Sequence, residues 1–126
     1  MFRGGVVTIY VSDMDRAVRF YSETLGFALK ERHGNHWASL DGGPGLAIGL
    51  HPATEQVPAG RQGSIAIGLY LEQPIADAVT ALTARGARFK GPIIDDDGML
   101  SLAFFDDPDG NPFYLAEMKP TRALQT

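Results

Sequence analysis

The feature that most constrains the fold is an internal duplication, because one order of predicted elements occurs twice within 126 residues. Each copy starts with an apolar, β-branched strand, VVTIYV at 6–11 and SIAIGLYL at 64–71. Each continues with an amphipathic helix that ends at a glycine, Gly26 in the first copy and Gly86 in the second. A repeated order of this kind predicts two copies of one supersecondary unit.

Both copies end in a predicted β-hairpin, which gives each the element order βαβββ. The strands and turns of the hairpins are 36–41, 42–45 and 46–51 in the first copy and 101–106, 107–110 and 111–116 in the second. A further short strand is predicted before each hairpin, at 28–34 and at 87–93. Residues 52–63, rich in proline, glycine and polar side chains, form the predicted linker. The sequence therefore predicts an α+β fold, with modules at about 5–51 and 64–118 inside a single domain, 1–126.

Strand side chains alternate between the two faces of a sheet, and here the two sets of positions differ in character. One set is large and apolar, as at Ile9, Ile48 and Leu115, and suits packing against the helices. The alternate positions, which we call the open face, carry small residues, hydroxyls and a few aromatic rings. They are Thr8, Tyr10, Ala47, Gly49, His51, Ser64, Ala66, Gly68, Tyr70, Pro112, Tyr114 and Ala116. A solvated face normally carries charges, which this pattern lacks, so we favour a ligand pocket over a solvated surface.

The hairpin register adds further candidates to the open face. A four-residue GGPG loop would pair Asp41 with Leu46 and place His36 opposite His51. A shift of one residue would exchange His36 for Trp37, and that alternative is left open. The same register in the second hairpin places Phe105 opposite Pro112. The candidate ligand-binding residues are Thr8, Tyr10, His36, Trp37, Gly49, His51, Ser64, Gly68, Tyr70, Phe105 and Tyr114.

Composition excludes several classes of function. The net charge is −4 with both signs mixed along the chain, so no basic patch predicts nucleic-acid binding. No apolar run approaches the roughly 20 residues of a membrane span, and the N-terminus lacks the pattern of a signal peptide. There are no cysteines, which excludes disulfides and thiolate chemistry. We therefore expect a soluble, cytoplasmic protein with no nucleic-acid or membrane partner.

The segments VSDMDRAVRFYSETLGF (11–27) and DDPDGNPFYLAE (106–117) resemble the vicinal oxygen chelate superfamily. That group includes glyoxalase I, fosfomycin-resistance thiol transferases, extradiol dioxygenases and bleomycin-binding resistance proteins. The resemblance covers about residues 5–118. It implies two βαβββ modules whose mixed sheet curves around a shared cavity, with the helices outside, commonly in a homodimer. It does not by itself imply a reaction, since one fold hosts many functions.

The resemblance also implies where a metal enzyme of this group would place its ligands. Those positions hold Val6, Gly49, Ser64 and Tyr114 here. Divalent metals require several convergent histidine or carboxylate ligands, and this set supplies none. We therefore expect no metal and no other cofactor. A metal bound by His36 and His51 would need a carboxylate, and the predicted register places none on the open face.

Three functions fit these observations. The favoured one is a metal-free protein, similar to the bleomycin resistance proteins, that binds a small organic molecule, aromatic or cationic, in the cavity. The second is a glyoxalase-like enzyme in which His36, His51 and Tyr114 carry out acid–base chemistry or hold a noncanonical metal. The third is a non-catalytic interaction domain, whose open face is covered by a partner. The sequence names no ligand or substrate for any of them.

Overall fold

The computed structural model of the protein describes residues 1, 5–60, 66–96, 98 and 100–118. The first copy of the repeat contains β1 (Val7–Val11), α1 (Met14–Arg19), a π-helical continuation of α1 (Phe20–Thr24), β2 (Ala28–His33), β3 (Trp37–Asp41) and β4 (Ala47–Pro52). The second contains β5 (Ile67–Tyr70), α2 (Ile75–Ala84), β6 (Ile94–Asp96), β7 (Leu100–Asp106) and β8 (Pro112–Met118). The element order βαβββ thus occurs twice, and the predicted α+β fold class is confirmed.

Each copy forms its own mixed four-stranded sheet. The strand order is β1-β4-β3-β2 in the first sheet and β5-β8-β7-β6 in the second. The first strand of each copy runs parallel to the last, while the remaining pairs are antiparallel. The chain divides into two compact units, residues 1–61 with 108–111 and residues 62–107 with 112–126. The single domain and the shared cavity remain predictions.

The two helices begin and end for different local reasons. The Asp13 carboxylate accepts a hydrogen bond from the backbone N–H of Arg16 at 3.0 Å, which caps the start of α1. In α2, Pro74 precedes the helix, and the Glu117 carboxylate of β8 accepts a bond from the Ile75 N–H at 2.9 Å. The chain leaves α2 through Gly86 at φ 107°, as the glycine in the sequence predicted. None of the described helices is long and apolar enough to cross a membrane.

The helix-facing side of each sheet forms the core of its unit. In the first unit, Ile9, Val11, Ile48 and Leu50 are buried, and α1 packs on β4. In the second, Phe113 and Leu115 are buried, and α2 packs on β7 and β8. The alternation of apolar positions in the sequence therefore identified most of the side that packs on the helices.

Both hairpins are paired one residue away from the predicted register. Asp41 pairs with Ala47 rather than Leu46, and the Gly42 N–H bonds the Leu46 carbonyl at 2.9 Å. The loop thus has a three-residue tip, 43–45, instead of four residues. Gly45 is left-handed with φ 84°, as is Gly110 in the second hairpin with φ 87°. In the first hairpin the Leu46 N–H bonds the Gly43 carbonyl at 3.1 Å, and Pro44 followed by a left-handed Gly45 is typical of a type II turn. In the second, the DPDG sequence suits a type I turn followed by a left-handed glycine, a common three-residue connection.

The new register corrects two candidate site residues. His36 lies exposed in the turn before β3, where its N–H bonds the His33 carbonyl at 2.9 Å, and Trp37 takes the open-face position. Phe105 pairs with Phe113 and is fully buried on the helix-facing side. Its neighbour Phe104 pairs with Tyr114 on the open face instead.

The additional short strands were predicted with unequal success. The segment 28–34 forms β2 as expected, with a bulge between Leu29 and Glu31, and His33 is its last residue. The segment 87–93 contributes only an isolated bridge between Phe89 and Phe105. The strand β6 follows it at Ile94–Asp96.

Candidate functional site

A row of four ring side chains crosses the open face of the first sheet, one from each strand. The register pairs His33 with Trp37 and Tyr10 with His51, and Trp37 lies one residue beyond the Ala38–Leu50 pair that joins β3 to β4. We call these four residues, His33, Trp37, His51 and Tyr10, the ring row. The centroids of the Tyr10 and His51 rings are 5.0 Å apart, with the planes inclined at 50°. Tyr10, His51 and Trp37 are half-buried, whereas His33 is exposed.

The Trp37 indole occupies the space above Gly49 on the neighbouring strand. A methyl group built on Gly49 would lie 2.8 Å from Cζ2 of the indole and closer still to Cη2. Gly49 is therefore required for the observed position of Trp37, because any larger residue would displace the indole. Small residues on the open face were predicted to make room for a ligand, and here the first of them makes room for a ring of the protein itself.

The second sheet repeats this arrangement with different residues. The Tyr114 ring covers Gly68, and a methyl group built there would lie 2.6 Å from Cε2 of the phenol. Phe104 packs beside Tyr114 with ring centroids 5.9 Å apart. Tyr70, two residues beyond Gly68, is 80% exposed. Each open face thus presents an aromatic ring supported by a glycine of the adjacent strand.

Charged groups on the open face were missed by the sequence reading. The observed register moves Asp41 and Asp106, which occupy equivalent positions in the two hairpins, onto this face. Asp41 is exposed and accepts a bond from the Gly43 N–H at 2.9 Å. The Asp106 carboxylate is bound by the Lys90 ammonium at 2.9 Å. The DPDG sequence indicated the correct register of the second hairpin, since aspartate, proline and glycine at the first, second and fourth positions are typical of a type I turn.

Of the eleven predicted ligand-binding residues, eight lie on the open faces of the two sheets. The first sheet brings together Thr8, Tyr10, Trp37, Gly49 and His51, and the second carries Gly68, Tyr70 and Tyr114. His36 and Phe105 are displaced by the register, as described above. Ser64 lies outside the described residues. Whether the eight bind a ligand remains a prediction.

The residues at the implied metal positions do not fit a divalent metal. Val6 has no donor atom and is 50% exposed, and Gly49 has no side chain. Tyr114 offers a phenol that lies over Gly68. Across residues 5–60 and the described part of the second copy, no three histidine, aspartate or glutamate side chains converge as a metal site would require.

The tip of the second hairpin is fixed by Asp109 within the first compact unit. Its carboxylate accepts bonds from the backbone N–H of Ser12 at 3.2 Å, from the Ser12 hydroxyl, and from the Arg16 guanidinium at 3.2 Å. The Gly60 backbone also approaches the Asp109 carbonyl so closely that no side chain fits between them. These longer-range bonds of Asp109 anchor the turn to the start of α1.

A cavity of about 260 Å³ lies beside this anchor, at the end of β1. It is lined by Val11, Ser12, Asp13, Met14, Asp15, Asn35 and Pro52. Asp15 is paired with Arg32 at 2.6 Å, and Asp13 caps α1, so both carboxylates already have structural roles. The cavity is therefore a weaker candidate for a ligand site than the ring row.

Comparisons with known proteins agree with this architecture. Residues 4–115 match the profile of the Glyoxalase/Bleomycin resistance protein/Dioxygenase superfamily. An uncharacterized protein of Mycolicibacterium smegmatis is 31% identical over 86% of this chain and 90% of its own length. A probable chloroplastic lactoylglutathione lyase of Arabidopsis thaliana is also 31% identical, over 91% of this chain but only 35% of that protein. The crystal structure of TnmS3, an antibiotic binding protein from Streptomyces sp. CB03234, is 27% identical with a TM-score of 0.76, covering 94% of this chain and 98% of that one.

Proposed function

Because the chain belongs to the Glyoxalase/Bleomycin resistance protein/Dioxygenase superfamily, whose fold hosts both enzymes and binding proteins, the function must come from its own site. We propose that it binds a small organic molecule with a planar ring, without a metal, on the open face of the first sheet. The observation that carries the proposal is the Trp37 indole, which lies over Gly49 inside the ring row.

The ring row has the physical properties of a stacking site. Aromatic side chains contribute large apolar areas and pair with other rings at centroid distances of about 4.5–7 Å. Tyr10 and His51 already stand at such a distance, and Trp37 completes a half-buried surface across three strands. The similarity to an antibiotic binding protein supports binding rather than turnover, although that protein's ligand is not carried over to this chain.

The competing proposals are weaker for specific reasons. Acid–base catalysis was predicted to use His36, His51 and Tyr114, but His36 lies away from the open face, in the exposed turn before β3. A metal-dependent reaction lacks the donor atoms at Val6 and Gly49. An interaction domain would use the same open face but would bind no small molecule, so the experiment below distinguishes it. The homodimer expected from the family also remains a proposal, to be measured by light scattering.

The test is a thermal-shift screen of planar organic compounds followed by calorimetric titration of the hits. A ligand that binds only the folded state at 100 times its Kd stabilises it by about 2.7 kcal/mol, which such a screen detects. Trp37→Leu should weaken binding at least tenfold, whereas His36→Leu, one residue away in the exposed turn, should bind like the wild type. Hits whose affinity is unchanged by Trp37→Leu would overturn the proposed site, and a screen without hits would favour the interaction domain.

A further inference from the structure

The hydrogen bond made by His51 fixes where its ring carries a proton. Nδ1 of His51 lies 2.7 Å from the carbonyl oxygen of Pro52. A carbonyl oxygen only accepts hydrogen bonds, so Nδ1 must donate and therefore holds the proton. A neutral imidazole has a single ring proton, which leaves Nε2 with an unshared electron pair. In its neutral form His51 is thus a hydrogen-bond acceptor through Nε2.

This acceptor lies in the middle of the ring row. Tyr10 flanks His51 on β1, and Trp37 flanks it on β3. The imidazole is half-buried, and no group in the described ranges of the chain forms a hydrogen bond with Nε2. The lone pair of Nε2 lies in the plane of the imidazole, and that plane is inclined at 50° to the Tyr10 ring, so a ligand stacked on Tyr10 would meet it edge-on rather than face-on. A ligand without a donor would leave this nitrogen unpaired.

We infer that the first open face selects planar aromatic molecules that carry an O–H or N–H group, which donates a hydrogen bond to Nε2 of His51. The inference rests on the proposed function and adds the chemical class of the ligand to it. The rings provide stacking that tolerates many aromatic systems, and His51 provides the discrimination. A site built to bond a donor rejects the analogue that lacks it, because its own polar group is then left without a partner.

The tautomer can be measured without any ligand. Long-range ¹H–¹⁵N correlation spectra at pH 8, where histidine is ordinarily neutral, distinguish protonation at Nδ1 from protonation at Nε2. The chain has three histidines, and the His51→Phe variant assigns the relevant signals by their loss. We expect His51 to carry its proton on Nδ1. A proton on Nε2 would overturn the inference while leaving the proposed stacking site intact.

Ligand discrimination is tested with indole and benzofuran, two fused rings of almost equal size of which only indole has an N–H donor. Calorimetry at pH 8 should show that the wild type binds indole about five- to tenfold more tightly, the effect of one hydrogen bond. His51→Phe keeps a ring but removes the acceptor, and it should bind the two compounds about equally. The matched control His36→Phe, in the exposed turn, should keep the wild-type preference.

Each outcome separates the inference from the proposed function. Equal binding of the two compounds by the wild type, or an indole preference that survives in His51→Phe, would overturn the inference but keep the stacking site. Shifts of the Trp37 indole signal in the NMR spectrum must accompany binding if the compounds occupy the ring row. Absence of binding by both compounds would overturn the inference together with the proposed function for this class of ligand.

Discussion

The packing of Trp37 on Gly49 makes a quantitative prediction for Gly49→Ala. The glycine does not adopt a left-handed conformation, so the backbone accepts alanine, and replacing glycine within a strand ordinarily stabilises by about 0.5–1 kcal/mol. The added methyl group would overlap the indole, however, and overpacking of a fitted site costs about 1–3 kcal/mol. Over most of these ranges the steric cost is the larger, and the difference leaves a net loss of up to about 2.5 kcal/mol in the free energy of unfolding.

A double-mutant cycle isolates this contact from other effects of the substitution. In the Trp37→Leu background the indole is gone, so Gly49→Ala should become neutral or stabilising by up to about 1 kcal/mol. Urea denaturation followed by circular dichroism measures all four variants, provided that their m-values agree. A loss of equal size in both backgrounds would refute the reasoning, because it would show that the cost of alanine does not come from the indole.

The remaining predictions concern the anchored turn and the metal. Gly60→Ala should lower the free energy of unfolding by more than about 2 kcal/mol, since Gly60 has φ 68° and an added Cβ would meet the backbone of Asp109. A change below about 0.5 kcal/mol in chemical denaturation would contradict this expectation. Asp109→Ala removes the acceptor of Ser12 and Arg16 and should lower the free energy of unfolding by about 1–3 kcal/mol, whereas Glu72→Ala, at an exposed position before α2, is the control. Protein purified without a tag and dialysed against zinc, nickel, manganese and iron should retain no metal by mass spectrometry. Near-stoichiometric metal that is lost in His51→Ala would make a metalloenzyme the leading hypothesis.

Much of the fold followed from the sequence because its signals are local and repeated. Hydrophobic alternation identified helix-facing residues such as Ile48 and Leu115, and glycines marked where the helices end. Each of these signals also occurred in both copies of the repeat, which supported one element order for each copy. The class and the order of the elements were therefore predictable, although β6 was placed a few residues too early.

The candidate site was less predictable because it depends on register, which a single residue of loop length determines. The difference between a four-residue loop and a three-residue tip exchanged His36 for Trp37 and Phe105 for Phe104. It also moved two aspartates onto the open face. The support of Trp37 by Gly49 could not be inferred at all, since a glycine in a strand shows only that something approaches closely and not what.

The steric contact between each ring and the glycine beneath it implies that the two positions change together during evolution. A relative that replaces Gly49 with any larger residue must also replace or reorient the tryptophan, and the same holds for Gly68 and Tyr114 in the second sheet. Substitutions at these positions should therefore be correlated among homologues, with a large residue in one strand matched by a small one in the next. Ligand preference would then diverge by exchanging such pairs, in discrete steps and without altering the order of the strands.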